Sequence, residues 1–161
     1  MTYSEVKKEL KKEFTFFLKP KGYNSKCSSQ GCEFTLPNIY STNLIGYGIV
    51  NYIDEFETGC YIGIGIHEVQ EIEKKIFDGI FYSTLSLGIA NYFNKINYRF
   101  NIKTKDDIKE WKEIIQKFYK EFAHPFFEKY QTVADIDKLL NTNPEERVPE
   151  LDDLGQHITK V

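Results

Sequence analysis

The stretch YIGIGIH, Tyr61–His67, decides how this chain folds. Isoleucine alternates in it with mostly glycine, and a period of two is that of a β-strand whose successive side chains point to opposite faces. One face of the strand is therefore apolar and the other is nearly bare. Glycine is poor strand material, and in sheets it often marks a place where another element or a ligand approaches the backbone. We expect the bare face to be covered by a helix or an aromatic ring such as that of Tyr52 or Tyr61, by a small ligand, or by a partner protein.

A second strand is predicted over residues 44–53, and the acidic loop DEFETG, residues 54–59, joins it to the strand over residues 60–69. In the hairpin that pairs Ile53 with Cys60, the glycines share one face, and a one-residue slip would mix them with the isoleucines. The facing pairs in this register are Gly48 and Gly65, Val50 and Gly63, Gly46 and His67, and Tyr52 and Tyr61. The opposite face carries Tyr47, Ile49, Ile53, Ile62, Ile64 and Ile66.

Two amphipathic helices are predicted, one before and one after these strands in the sequence. Thr2 and Glu5 form a capping-box pattern, and Thr104 with Asp107 opens the second helix. Apolar residues then recur at helical spacing, which gives each helix one apolar stripe. The stripes are Val6, Leu10, Phe14, Phe17 and Leu18 in the first helix, and Ile108, Trp111, Ile115, Phe118 and Phe122 in the second.

Shorter segments complete the predicted architecture. Two extended pieces flank the polar turn Ser28–Gly31, a short helix covers Glu71–Gly79, and a half-buried strand covers residues 96–102. Thr132 with Asp135 caps a last helix. These elements predict an α+β fold, an antiparallel sheet of four to six strands with the N-terminal helix and the C-terminal helices packed on its isoleucine face.

Length and composition predict one folded domain. The chain has 161 residues, of which 41% are hydrophobic and 28% charged, values close to those of a typical globular domain. We expect the α+β domain to occupy residues 1–141. Residues 142–161 are acidic and proline-rich without periodicity, which predicts a C-terminal tail.

The sequence also predicts the compartment. The longest nearly uncharged apolar run, Leu44–Val50, is far shorter than the roughly 20 residues that span a membrane. The amino end mixes acids and bases and lacks the apolar segment of a leader peptide. Three cysteines, Cys27, Cys32 and Cys60, are few and odd in number, so we expect reduced thiols. We predict a cytoplasmic protein that does not contact a membrane.

Charge is unevenly distributed along the chain. The formal net charge is −3, and residues 27–73 contain no lysine or arginine. The acidic residues of that stretch are Glu33, Asp54, Glu55, Glu57, Glu68, Glu71 and Glu73. A block of this kind argues against a nucleic-acid surface there and favours a basic partner, although acidic surfaces often serve solubility alone.

No catalytic or metal site is predicted. Cys60 and His67 are seven residues apart, about 23 Å along a strand and on opposite faces, which excludes a nucleophilic dyad if both lie in one strand. Cys27 and Cys32 flank a turn as half of a zinc site would, but the chain offers no second pair at ligand spacing. The acidic loop is too short for a calcium loop. We expect no cofactor.

Two segments resemble a known family. The run STLSLGIANYFNKINYRFNIKTKDDIKEWKEIIQKFYKEFAHPFFEKYQTVADIDKLLN, residues 83–141, is similar to the carboxyl half of an uncharacterised bacterial family, a domain of unknown function. It shares an aromatic strand, a threonine-capped helix, a Pro-Phe-Phe turn and a short final helix. FTFFLKPKGYNSK, residues 14–26, resembles that family's first helix and turn. The central glycine-rich hairpin departs from the family's polar strand. Some relatives lie among toxin-immunity proteins, so the resemblance implies a fold and suggests an inhibitor role.

Two non-enzymatic functions follow as hypotheses. The first is a protein-interaction domain, similar to an immunity protein, whose acidic hairpin receives a basic partner. The second is a small-molecule binding domain with a glycine-floored groove on the sheet, in which a ligand stacks on a tyrosine beside a histidine. The candidate binding residues are Tyr52, Asp54, Glu55, Glu57, Tyr61, Gly63, Gly65, His67 and Glu68. An enzyme is least supported, because no nucleophile, base and orienting group can be placed together.

Overall fold

The chain folds into an antiparallel sheet, with helices before it, after it and in its connections. The computed structural model describes residues 1–53, 55–77 and 83–141. Within these ranges the strands are β1 (Asn24–Cys27), β2 (Gly31–Pro37), β3 (Ser41–Asn51), β4 (Phe56–Ile66), β5 (Leu85–Gly88) and β6 (Phe100–Ile102). The helices are α1 (Tyr3–Leu18), α2 (His67–Phe77), α3 (Ile89–Tyr92), α4 (Lys105–Phe118), α5 (His124–Lys129) and α6 (Val133–Asn141), with a 3-10 turn at Lys19–Lys21 and a π-helical turn at Tyr119–Ala123.

The strands pair in a simple order. β1, β2, β3 and β4 lie side by side as a meander, and both β5 and β6 pair with β4. All pairs are antiparallel. β5 contacts residues 61–64 of β4, whereas β6 contacts residues 56–58. The predicted α+β class with an antiparallel sheet is confirmed.

The β3–β4 hairpin keeps the predicted faces but not the predicted register. Gly48 pairs with Gly59 rather than with Gly65, a shift of 65 − 59 = 6 positions along β4. Because six is an even number, every residue keeps its face. The turn is short: the Tyr52 amide donates to the Glu55 carbonyl over 2.9 Å, and β4 begins one residue later. The predicted acidic loop over residues 54–59 is therefore mostly strand.

Helices α1 and α4 cover the isoleucine face, as the apolar stripes predicted. The ring of Phe14 lies 4.5 Å from that of Tyr47. Trp111 is 0% exposed, and its ring lies 5.2 Å from that of Phe100 in β6. The buried residues of this core from β4 are Cys60, Ile62, Ile64 and Ile66. Burial of these side chains is the main source of stability for the fold.

Two isoleucines predicted in strands are outside them. Ile53 was expected on the core face, but the shifted register places it at the turn, where it is 99% exposed. Ile96 was expected to begin a strand over residues 96–102, yet β6 starts only at Phe100 and Ile96 is also 99% exposed. In the same way the predicted helix over 71–79 begins earlier, at His67.

The cysteines of the first hairpin are joined, which corrects the prediction of reduced thiols. Cys27 and Cys32 are register partners across β1 and β2, their Cα atoms lie 4.0 Å apart, and they form a disulfide. The sequence located the turn and allowed the two residues to lie opposite each other, but it did not indicate that they are bonded. Cys60 is free and buried.

In the described part of the chain, no helix is long and apolar enough to cross a membrane. The predicted tail over residues 142–161 lies outside the described residues.

Candidate functional site on the glycine face

The second face of the β3–β4 hairpin, which we call the glycine face, lies opposite the isoleucine core. The pairing of β3 with β4 determines which residues lie on this face. Its residues are Thr42, Leu44, Gly46, Gly48 and Val50 of β3, and Glu57, Gly59, Tyr61, Gly63 and Gly65 of β4. The predicted clustering of the glycines on one face is confirmed.

The half of the glycine face nearest α2 is covered by the protein itself. His67 begins α2, and its Nε2 lies 3.1 Å from the Thr42 hydroxyl. A side chain added at Gly63 would come within 2.9 Å of the Cβ atom of Ser83. Leu44 is only 5% exposed and Gly65 is buried. Gly63, Gly65 and His67, all predicted to contact a ligand, thus belong to a packed region.

An aromatic ring covers the middle of the glycine face. The ring of Tyr61 lies over Gly46, where a Cβ atom would overlap it. The Tyr61 hydroxyl donates a 2.9 Å hydrogen bond to Glu33 Oε1 on β2. Burial, and then the hydrogen bond and charge of Glu33, raise the pKa of Tyr61. The predicted cover by Tyr61 is confirmed, whereas Tyr52, the other candidate, is 50% exposed at the β3–β4 turn.

The remaining half of the glycine face is open. Gly48 is exposed, and a Cβ atom added there would have no atom within 4 Å. Its partner Gly59 is half-buried, and the nearest atom to its added Cβ would be the Tyr98 carbonyl oxygen, at 3.8 Å. The two glycines therefore leave a bare peptide floor.

A groove of about 710 Å³ is lined by both glycines of this floor, and also by Ile49, Cys60 and Ile89 of the core. Tyr61 and Gly88 line it from the covered side of the face, and residues 97–99 line it beside Gly59. Tyr3 and Gln30 also contribute to the lining, and the Tyr3 hydroxyl donates to the Ser29 carbonyl over 2.6 Å, which ties α1 to the β1–β2 turn. The volume is in the range of small-ligand sites, and the lining mixes apolar, phenolic and carboxamide groups.

The acidic residues of the hairpin are paired with cations of the β6 region. Glu55 Oε2 lies 3.2 Å from Lys103 Nζ. Glu57 Oε2 lies 4.0 Å from Arg99 Nε. Asp54 lies outside the described residues. The charges expected to face a basic partner are thus partly neutralised within the chain.

Glu68 does not join these residues. It is exposed on α2, beyond the end of β4 at Ile66, whereas Glu57 lies near the start of that strand. Glu57 and Ile66 are nine positions apart along the strand, about 30 Å. Glu71, in the same helix, pairs with Lys74 over 2.9 Å. The predicted acidic surface is therefore two separate groups at opposite ends of the sheet.

Cys60 and His67 do not meet either. The Cys60 thiol is buried among the core residues, and this burial raises its pKa. His67 contacts Thr42 on the other side of the sheet. Among the described residues, no group of three or more His, Cys, Asp or Glu side chains could hold a metal ion.

Sequence reasoning missed most of the groove lining. Gly48 and Gly59 were both recognised as strand or loop residues, but the predicted register kept them apart. Tyr3, Tyr98 and Arg99 come from distant parts of the chain, and no local pattern indicated that they approach Gly59. The presence of glycines in the two central strands was the one usable signal in the sequence.

The fold and the groove define a class: an α+β antiparallel-sheet domain with a partly open sheet face. No protein-family model, curated protein or solved structure matches the chain. The resemblance to the bacterial domain of unknown function therefore stays a prediction.

Proposed function

We propose that this protein is a non-enzymatic binding domain whose site is the groove over Gly48 and Gly59. The observation that carries the proposal is the open space at Gly48. Of the other glycines predicted to need cover, Gly46 lies under the Tyr61 ring, Gly63 lies against Ser83, and Gly65 is buried. A central strand position that is left bare has no packing reason to be glycine, and glycine costs about 0.5–1 kcal/mol there.

The groove offers both shape and polar groups to a ligand. Tyr61 presents a ring with a hydroxyl end, Tyr98 contributes its backbone carbonyl beside Gly59, and Gln30, Asn51 and Asn97 supply carboxamides that both donate and accept hydrogen bonds. A few polar groups that converge on a concave, partly apolar surface are the usual composition of a small-molecule site. We propose a small molecule rather than a macromolecule as the ligand.

The test is a thermal-shift screen of small metabolites on the native protein and on Gly48→Val. Valine fits the open position and suits a strand, so the variant should fold with at least native stability. Compounds that raise the Tm of the native protein should lose this effect in the variant, because binding raises the Tm only while the site exists.

The control is Thr35→Val, which adds an apolar group to the same side of the sheet outside the groove lining. It should keep every native Tm shift. Compounds that stabilise Gly48→Val as strongly as the native protein would contradict the groove proposal.

An interaction with a basic partner protein, similar to that of an immunity protein, is the competing proposal. A partner at the hairpin would have to displace Lys103 from Glu55 and Arg99 from Glu57, or add to those pairs. This proposal expects Glu55→Lys to abolish capture of a partner from the host lysate. The groove proposal expects no effect of that change on ligand binding.

The disulfide is relevant to the cellular compartment that we propose for this protein. We propose a cytoplasmic protein, and thiols in that compartment are kept reduced. The Cys27–Cys32 disulfide is therefore an observation against this location. Trapping the thiols by alkylation in intact cells tests this directly: a bond that is already closed there would contradict the cytoplasmic location.

A further inference from the structure

We infer that the groove binds an organic carboxylate, which Arg99 holds by its guanidinium group. This inference rests on the proposed function and adds the chemical class of the ligand. Among the described residues that line the groove, Arg99 is the only one with a formal charge. Its ion-pair partner Glu57 lies opposite the lining residue Val50 but is not itself part of the lining.

The hydrogen-bonding groups of Arg99 are available. The ion pair with Glu57 is made by Nε at 4.0 Å, the far limit of such a contact. In the described part of the chain the two terminal nitrogens of Arg99 make no closer ion pair and no hydrogen bond, and the side chain is 53% exposed. Two parallel N–H groups of a guanidinium match the two oxygens of one carboxylate.

The surroundings of Arg99 favour an anion with an apolar body. Lys95, four residues before Arg99 in the chain, is a second cation, and its Nζ lies 5.1 Å from the centre of the Tyr98 ring. Val50 and Ala90 add apolar lining next to the flat glycine floor. A planar ring with a carboxylate would place its ring on this floor and its oxygens at Arg99.

The test compares 2-naphthoate with 2-naphthamide, which have nearly the same shape and differ by one negative charge. Binding is measured by titration of the amide signals of the ¹⁵N-labelled protein. For the native protein we expect naphthoate to bind about tenfold more tightly, the equivalent of one charge-assisted hydrogen-bonded pair. Arg99→Gln should make the two affinities equal.

The matched control is Lys103→Gln. It removes the same charge from the next cation along the chain, which pairs with Glu55 and does not line the groove. It should keep the preference for naphthoate. A preference that persists in Arg99→Gln, or that Lys103→Gln removes equally, would overturn the assignment to Arg99.

Different results would contradict the groove proposal and the carboxylate inference. If naphthoate and naphthamide bind equally and Gly48→Val abolishes both, the groove is a site but the carboxylate inference is wrong. If neither compound binds, the carboxylate inference is overturned, and the metabolite screen alone decides whether the groove is a site.

Discussion

At the scale of single residues, glycines that look alike in the sequence have different structural roles. At Gly31, a Cβ atom would overlap the Tyr47 carbonyl oxygen, which belongs to the backbone and cannot move away. At Gly46 it would meet the Tyr61 ring, which can swing aside at the cost of its bond to Glu33. At Gly48 it would meet nothing within 4 Å. Close packing therefore explains the first two glycines but not the third.

Alanine substitution separates these roles. Gly31→Ala should lower the free energy of unfolding by about 1–3 kcal/mol, the usual cost of overpacking. Gly48 is the residue that pairs with Gly31 between β3 and β2. Gly48→Ala should leave the free energy of unfolding unchanged or raise it by about 0.5–1 kcal/mol. Urea unfolding followed by fluorescence of Trp111, the only tryptophan, measures both. Equal losses in the two variants would contradict the difference in space.

At the scale of secondary-structure elements, the sequence predicted faces better than register. The capped starts of α1 and α4 and their apolar stripes were visible because capping and helical periodicity are local. The strand faces were visible because the side-chain period is two. The register was not, because both registers of the β3–β4 hairpin keep the same faces, and the strand segment Phe56–Gly59 has the polar composition of a loop.

The β1–β2 hairpin makes a prediction about its thiols. Purified without reductant and then denatured, the protein should show one reactive thiol per chain, that of Cys60, and three after reduction. The double variant Cys27→Ser, Cys32→Ser should lose about 2 kcal/mol of unfolding free energy without reductant, as expected for so short a loop. In reductant the native protein should lose this advantage. Three thiols in the denatured, unreduced protein would show that the bond does not form.

The start of α4 makes a prediction about pH. Asp107 Oδ2 accepts hydrogen bonds from the amides of Lys103 and Thr104, at 2.8 and 2.7 Å, and these bonds lower the pKa of Asp107. A carboxylate whose pKa is lowered by folding stabilises the fold above its unfolded pKa of about 3.9, and this contribution is lost as the pH falls through the folded pKa.

Asp107→Asn should therefore lower the free energy of unfolding by about 0.5–1 kcal/mol at pH 7. The difference from the native protein should shrink below about pH 4. Asp106→Asn is the control, because it removes a charge from the same helical turn but its carboxylate contacts Lys109 and not the backbone. Thermal unfolding at pH 7, 5 and 3 measures both variants. An equal effect of the two substitutions at neutral pH would contradict the role of the backbone bonds.

At the scale of the whole molecule, the two faces of the sheet differ. The isoleucine face packs in the core, whereas only half of the glycine face is covered. α1 and α4 pack on the isoleucine face, while α2 and Tyr61 cover the glycine face only as far as Gly46. The groove over the rest combines residues of α1, the sheet and the segment before β6, which the fold alone brings together. The sequence showed that the glycine face needs cover. Which part of that face is covered depends on tertiary packing, which the sequence did not show.

The most direct test of the account is to locate a bound ligand by NMR. A compound that stabilises the native protein is added to the ¹⁵N-labelled native protein and to Gly48→Val. We predict that the amide signals of Gly48, Gly59 and Gly88, all in the groove lining, shift in the native protein, and that the variant keeps a folded spectrum without ligand-induced shifts. Shifts centred instead on the hairpin tip around Glu55 and Lys103, and retained in Gly48→Val, would contradict the claim that the open half of the glycine face is the binding site.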